Sequence, residues 1–250
     1  MFVQRHAIIT TLTLIHYSGI ANRIWALSQM QLGQSRLAKV SGLSFSRLMG
    51  SGGGNGFSLL PNFGVFALVG EWKDRSAADD FFGRNEWYAE VSRRSDRRIT
   101  FFLEATMAHG AWGGDNPFTP HPDRYDPDEP VAVITRATIY PSKLPDFWRY
   151  VPATSRSVDD YPERRLSVGI GEYPVFMQAT FSVWTSGRAM TEFAYAGQHH
   201  RRVVALTRRR GWYKEELFSR FRIREIVGKW PDFSPPPGVV VGPHFVAQKR

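Results

Sequence analysis

The sequence predicts an α+β fold, built as two fused ferredoxin-like halves whose sheets pack against each other. Two observations carry this. The periodicity runs strand, helix, strand, helix, strand and then takes a similar order again. A faint internal repeat marks the same place in each run. Trp72, Ala77 and Phe81 are spaced W-x4-A-x3-F, as are Trp184, Ala189 and Phe193, and each time a strand ends at the Trp and a helix begins. A chain of 250 residues, 42% hydrophobic and 14% aromatic, can bury a sizeable core in such an arrangement.

In order, Val3–Tyr17 reads as a strand. Its apolar run Ala7–Ile15 is too short to span a bilayer and lacks a small-residue cleavage site, so it is not a signal peptide. Ala21–Val40 reads as a helix with an apolar stripe of Ile24, Trp25, Leu27, Met30 and Leu32. Phe45–Phe57 reads as a glycine-rich loop. No Gly-Lys-Ser/Thr follows it and it lacks a strand-to-helix setting, so neither nucleotide motif applies; its glycines suit close backbone approach. Phe63–Trp72 is a strand, Ala77–Ser95 a helix and Ile99–Met107 a strand.

Residues 108–130 are rich in Pro, Gly and Asp and read as a linker or lid. His109, His121, Asp123, Asp126 and Asp128 fall there without a known ligand spacing. Val131–Tyr140 is a strand, and Leu144–Val158 is partly helical. Leu166–Gly171 and Pro174–Trp184 are strands joined by a turn at Glu172-Tyr173. Helix follows from Arg188 and again from His200, Arg220–Val227 closes the sheet, and the proline-rich end is an extended surface tail. The expected organisation is therefore an N-terminal half over 1–107, the linker or lid over 108–130, a C-terminal half over 131–230 and a tail over 231–250.

Composition narrows the chemistry. The net charge is +9, which suits an anionic membrane surface or an acidic partner protein, and no helix-turn-helix, RNP-type or zinc-finger pattern supports nucleic acid. The absence of cysteine excludes disulfides, thiolate-ligated haem, protein-held iron–sulfur clusters and cysteine nucleophiles. It also agrees with the cytoplasm.

Candidate site residues come from two strands and one helix. In Val175–Trp184 the face of Val175, Met177, Ala179, Phe181 and Val183 is wholly apolar and expected against the helices. The other face, Phe176, Gln178, Thr180, Ser182 and Trp184, mixes aromatic and hydrogen-bonding groups as a ligand cavity between the sheets does; facing water is the alternative. Arg136, in an apolar strand, needs a carboxylate, a bound anion or water, and Glu104 is one candidate partner. His200 shares a helix face with Val203 and Val204. A histidine so placed is either a satisfied core residue or a ligand to a metal or haem iron.

Six stretches together resemble a known family: RIWALSQM (Arg23–Met30), MGSGGGNGF (Met49–Phe57), ITRAT (Ile134–Thr138), GIGEYP (Gly169–Pro174), QATFSVW (Gln178–Trp184) and GWYKEELFSRFRI (Gly211–Ile223). They resemble, in the same order over roughly residues 8 to 224, the spheroidene monooxygenases, the acyclic carotenoid 2-ketolases of purple photosynthetic bacteria. The resemblance implies a dimeric-α/β-barrel-type fold and a haem-dependent oxygenase acting at a terminal C-2 methylene of a linear carotenoid. It implies haem b lying between sheet and C-terminal helix, with His200 rather than His199 as the axial ligand. Strand alternation, not the resemblance, then selects Thr180 and Trp184, with Phe193 of the following helix, as residues beside such a cofactor, and Arg136, Gln178 and Ser182 as catalytic groups. Electrons would come from a ferredoxin or other reductase. A cytoplasmic location, peripheral contact with the inner membrane and a homodimer are compatible with it. The same fold also hosts haem enzymes of other chemistry, aldoxime dehydratases among them, so reaction class stays open at this point.

Overall fold

The computed structural model describes residues 7–52, 61–149, 161–173, 176–196, 207, 209–243 and 245. The first half contributes β1 (Ile9–His16), α1 (Ile20–Leu37), β2 (Leu43–Gly52), β3 (Pro61–Trp72), α2 (Arg75–Arg84), α3 (Glu86–Arg94) and β4 (Arg97–Gly110). The second contributes β5 (Val131–Ile139), β6 (Arg164–Tyr173), β7 (Met177–Trp184), α4 (Gly187–Ala196) and β8 (Tyr213–Gly228). A short β9 (Val241–Gly242) follows. The strand order is β4-β1-β3-β2-β6-β7-β5-β8, and β8 pairs back onto β4, so eight antiparallel strands close a barrel. Each half keeps the ferredoxin-like order, and closure leaves neither half with an open outer edge.

The internal repeat is a structural repeat. Trp72 ends β3 opposite Ile9, and Trp184 ends β7 opposite Val131. The Trp72 and Phe81 rings lie 5.1 Å apart, the Trp184 and Phe193 rings 5.0 Å. In both halves an indole fixes the first turns of the following helix against the sheet.

The two seams of the barrel are unequal. β4 and β8 pair from Ile99↔Gly228 to Gly110↔Leu217, through two register shifts. β2 and β6 meet, among the described residues, only at Gly50↔Gly171 and Ser51↔Ile170.

Several expectations are corrected. Among the described residues the barrel interior is filled by side chains, Leu12, Leu14, Phe101, Leu103, Ile134, Phe181, Val183 and Phe221 among them, and not left as the expected pocket between sheets. The apolar face of β7 therefore points into the barrel, and it is the mixed face that turns outward towards α4. The stretch expected as linker or lid is a stopper, because Trp112 and Phe118 are buried with the barrel core where β8 begins. The expected surface tail is docked. Just after β8 ends, Trp230, Phe233 and Val239 pack against the same core, and Val241–Gly242 pairs with Ile226 and Val227. The expected loop at residue 45 is largely strand β2, and the expected turn at Glu172-Tyr173 is still strand β6. The expected single helix from Ala77 is two, broken at Asn85, whose side chain accepts a hydrogen bond from the Tyr88 N–H as the cap of α3. Lastly, the apolar stripe of α1 is split: Trp25 and Met30 pack against the core and the rest faces out. The helix buries Ala26, Gln29, Gly33 and Leu37 and leaves Ile20, Ile24, Leu27 and Leu32 exposed.

Candidate functional site

The outward face of the second half carries the candidate site. Cross-strand pairing lays its residues in rows over β6, β7, β5 and β8. One row is Ser167, Ser182, Val133 and Arg220. The next is Gly169, Thr180, Thr135 and Phe218, and the third is Gly171, Gln178, Ala137 and Glu216. Most of these side chains are small, so the rows form a shallow floor. Three strand spacings make it about 14 Å wide, and four residues along a strand make it about 13 Å long. Thr135 and Thr180 share a hydrogen bond of 2.6 Å between their hydroxyls at its centre.

Two aromatic walls bound the floor. At one end Trp184 meets Tyr161 (5.9 Å) and Phe193 (5.0 Å), with Met190 of α4 beside them. At the other, Ile139, Phe147 and Trp212 are buried together, with Trp148 and Tyr213 packed against them. There the Trp212 Nε1–H donates to Asp146 Oδ2 at 2.7 Å, and Arg210 pairs with the same carboxylate at 2.6 Å. These two contacts hold Asp146 below the usual carboxylate range.

Of the residues chosen from sequence, Gln178, Thr180, Ser182 and Trp184 share the floor face, and Phe193 stands at its wall. Arg136 does not join them. It lies on the opposite face of β5, inside the barrel, at 5% exposure. Its partners are Glu172 (3.3 Å) and Glu215, and its guanidinium lies 5.5 Å from the centre of the Trp112 ring. Glu104, the partner expected from sequence, faces outward and pairs with Arg124 at 2.8 Å. Burial would raise the Glu215 carboxyl, but hydrogen bonds from the Gly113 and Gly114 N–H groups and the Arg136 charge hold it below its ordinary value. Arg47 Nε reaches Glu172 Oε1 at 2.8 Å and the Trp112 Nε1–H reaches Glu172 Oε2 at 3.0 Å, so this ion cluster ties β2, β5, β6 and β8 to the stopper.

His200 and His199 lie outside the described residues. In sequence His200 falls between Phe193, at one wall, and Thr207, which is buried. Among the described residues no group of three or more His, Cys, Asp or Glu could hold a metal ion. Sequence reasoning missed Gly169, Thr135, Phe218 and Arg220. Their signal is the alternation of β6, β5 and β8, which becomes legible only once the pairing register is known.

No protein-family model matches the chain. It is 34% identical over 223 residues to the spheroidene monooxygenase of Rhodobacter capsulatus, covering 89% of this chain and 92% of that protein. It is 35% identical over 214 residues to the spheroidene monooxygenase of Rubrivivax gelatinosus, covering 84% and 80%. The chain belongs to the spheroidene monooxygenase family. It is accordingly a monooxygenase, an oxidoreductase. Among solved structures it is similar in fold to an aldoxime dehydratase in complex with butyraldoxime (13% identity, TM-score 0.58, 86% of this chain and 79% of that one). A second aldoxime dehydratase gives 13% identity and a TM-score of 0.56, over 89% of this chain and 83% of that one. Four of the six stretches that carry the family resemblance, those beginning at Ile134, Gly169, Gln178 and Gly211, lie on β5, β6, β7 and the approach to and length of β8. In a spheroidene monooxygenase family member these are the strands that supply the floor.

Proposed function

We propose that the chain is a haem-dependent monooxygenase that introduces oxygen, as hydroxyl and then keto, at the terminal C-2 methylene of an acyclic carotenoid such as spheroidene. The observation that carries the reading is the floor itself. A closed sheet whose outward face is small-sided, about 13 by 14 Å and walled by aromatics suits a flat macrocycle laid on it. The donor set is compatible: the chain has no cysteine for a thiolate ligand, and the family resemblance makes His200 the iron's ligand. Haem b bound there supplies the oxidising power needed to oxygenate an unactivated carbon, with electrons from a ferredoxin or other reductase.

The chain's own groups do the rest. Thr180 and Ser182 present hydroxyls, and Gln178 an amide, on the floor face of β7, where they would offer hydrogen bonds to a group bound against it. Trp184 and Phe193 press on its edge and exclude water. Arg136, on the inner face, holds β5, β6 and β8 together beneath Gln178 and acts as a support instead of touching substrate. The +9 net charge favours an acidic electron donor. No helix among the described residues is long and apolar enough to cross a membrane. The exposed Ile20, Ile24 and Leu27 of α1 support peripheral contact with the lipid in which a carotenoid dissolves.

The test is the absorption spectrum after reconstitution with hemin, beside His200→Ala. A Soret band that is lost or shifted in the variant is expected. Its absence from the wild-type protein would sink the haem reading. Turnover of an acyclic carotenoid only with oxygen and reductant then separates a monooxygenase from a haem enzyme of other chemistry.

A further inference from the structure

Two arginines are buried among the described residues, and they are provided for differently. Arg136 has two carboxylates and an indole. Arg220, 8% exposed, has no carboxylate among the described residues. Its Nε–H donates to the Thr106 hydroxyl at 3.2 Å, and its guanidinium carbon lies 3.4 Å from the centre of the Tyr125 ring. Its neighbours along β8 show the contrast again. Arg222 pairs with Glu129 at 2.8 Å, and Arg224 lies 3.8 Å from Glu104. Burial lowers the Arg220 pKa from its ordinary value, opposed only by the nearby Tyr125 hydroxyl and by no carboxylate. A buried guanidinium stays charged, and leaving it without an anion is costly.

Its position says what the anion belongs to. Arg220 stands opposite Val133, which stands opposite Ser182, so it closes the first row of the floor. Phe218, two residues before it on the same face, lies in the floor's central row. The Tyr125 ring that covers Arg220 packs with Val131, Val133 and Trp184 in the aromatic wall. The guanidinium therefore sits where floor and wall meet. At the matching position of the first half, Phe102 faces Thr11 across the strand pair, buried and uncharged.

We propose that Arg220 is the carboxylate anchor of the floor, pairing with a propionate of the bound haem. The inference rests on the haem reading above. A fork of N–H donors at the edge of a flat apolar macrocycle fixes its rotation in its own plane, which apolar walls alone leave free. It also explains how an arginine is kept at a position that its repeat partner fills with phenylalanine.

The experiment is a Soret titration with hemin and with hemin dimethyl ester, whose carboxylates are masked, on the full chain and on Arg220→Gln, Arg220→Lys and Arg222→Gln. The wild-type protein is expected to prefer free hemin about 10- to 100-fold, the range for a hydrogen bond to a charged group. Arg220→Gln should lose that preference by weakening hemin alone. Arg220→Lys should keep part of it, and Arg222→Gln all of it. Equal binding of the two ligands by the wild-type protein overturns the proposal, whether or not Arg220→Gln folds. So does an Arg220→Gln variant that weakens both ligands alike. A wild-type protein that binds neither ligand shows no Soret change at all, and that result overturns the parent reading along with this one.

Discussion

The two halves share a strand order and a register, so their positions can be matched one to one. With Trp72 set against Trp184, the first half places Leu68, Phe66, Leu48 and Ile15 where the second places Thr180, Gln178, Gly169 and Ala137. On the first half, large side chains meet α1 closely. A methyl group added to Gly33 would come within 2.6 Å of Leu48 Cδ1, so helix and sheet are in contact there with no space between. On the second half the same rows are small and half polar. The difference teaches that one half fills this face with packing against its helix, and the other leaves it small-sided and half polar, as the proposed ligand floor requires. The barrel interior exchanges in both directions: Leu14 matches Arg136, and Glu71 matches Val183.

Four changes break or sharpen that contrast. The largest effect is expected from Arg136→Leu, which gives the second half the first half's residue but removes the cation shared by Glu172 and Glu215, leaving Glu215 with only the Gly113 and Gly114 N–H groups; unfolding by urea should show a loss of about 3–5 kcal/mol. Next is Leu68→Thr, which gives the first half the second half's residue. It should cost about 3 kcal/mol through lost packing and a buried hydroxyl, and leave hemin binding unchanged. The reciprocal change, Thr180→Leu, should leave the melting temperature nearly constant while weakening hemin binding about 100-fold. Unaltered binding in that variant would remove the floor from the argument. The smallest effect belongs to Glu71. Burial, partly offset by hydrogen bonds from the Thr10 hydroxyl and the Thr119 N–H, pushes its carboxyl up to about 7. The folded state then holds this proton more tightly than the unfolded chain does. Its contribution is fully present below about pH 4.5 and is lost as pH rises through 7. Glu71→Gln should flatten the fall in stability between those values, read as urea unfolding at a series of pH values.

Much of the fold was legible because its signals are local. The paired Trp and Phe mark both halves, and the alternation of β7 separates Gln178, Thr180, Ser182 and Trp184 from Ala179, Phe181 and Val183. Alternation defines two faces without saying which is inside, so the apolar face of β7 was assigned to the helices when it lines the barrel. β2 was missed because Ser44, Ser46, Gly50 and Ser51 read as a loop, and only pairing with β3 makes them a strand. The partners of Arg136 come from β6 and β8, distant in sequence, and no spacing within β5 could name them. The apolar stripe of α1 is legible in the sequence, but its covering is not, since periodicity reports that a face is apolar and not what lies on it.

The unequal seams decide how the molecule comes apart. β4 and β8 form a spine of eleven residue pairs, and β2 and β6 a clasp of two among the described residues. A thermal excursion that parts β2 from β6 at Gly50, Ser51, Ile170 and Gly171 breaks fewer of the described strand pairings than one that parts β4 from β8. Amide protons of Gly50, Ser51, Ile170 and Gly171 should therefore exchange with solvent long before those of Phe101, Leu103 and Ile223. Each opening bares the backbone of β2 and β6 as raw strand edges, able to pair with another opened copy. Aggregation of this enzyme under stress would thus begin as a clasp exchanged between neighbours.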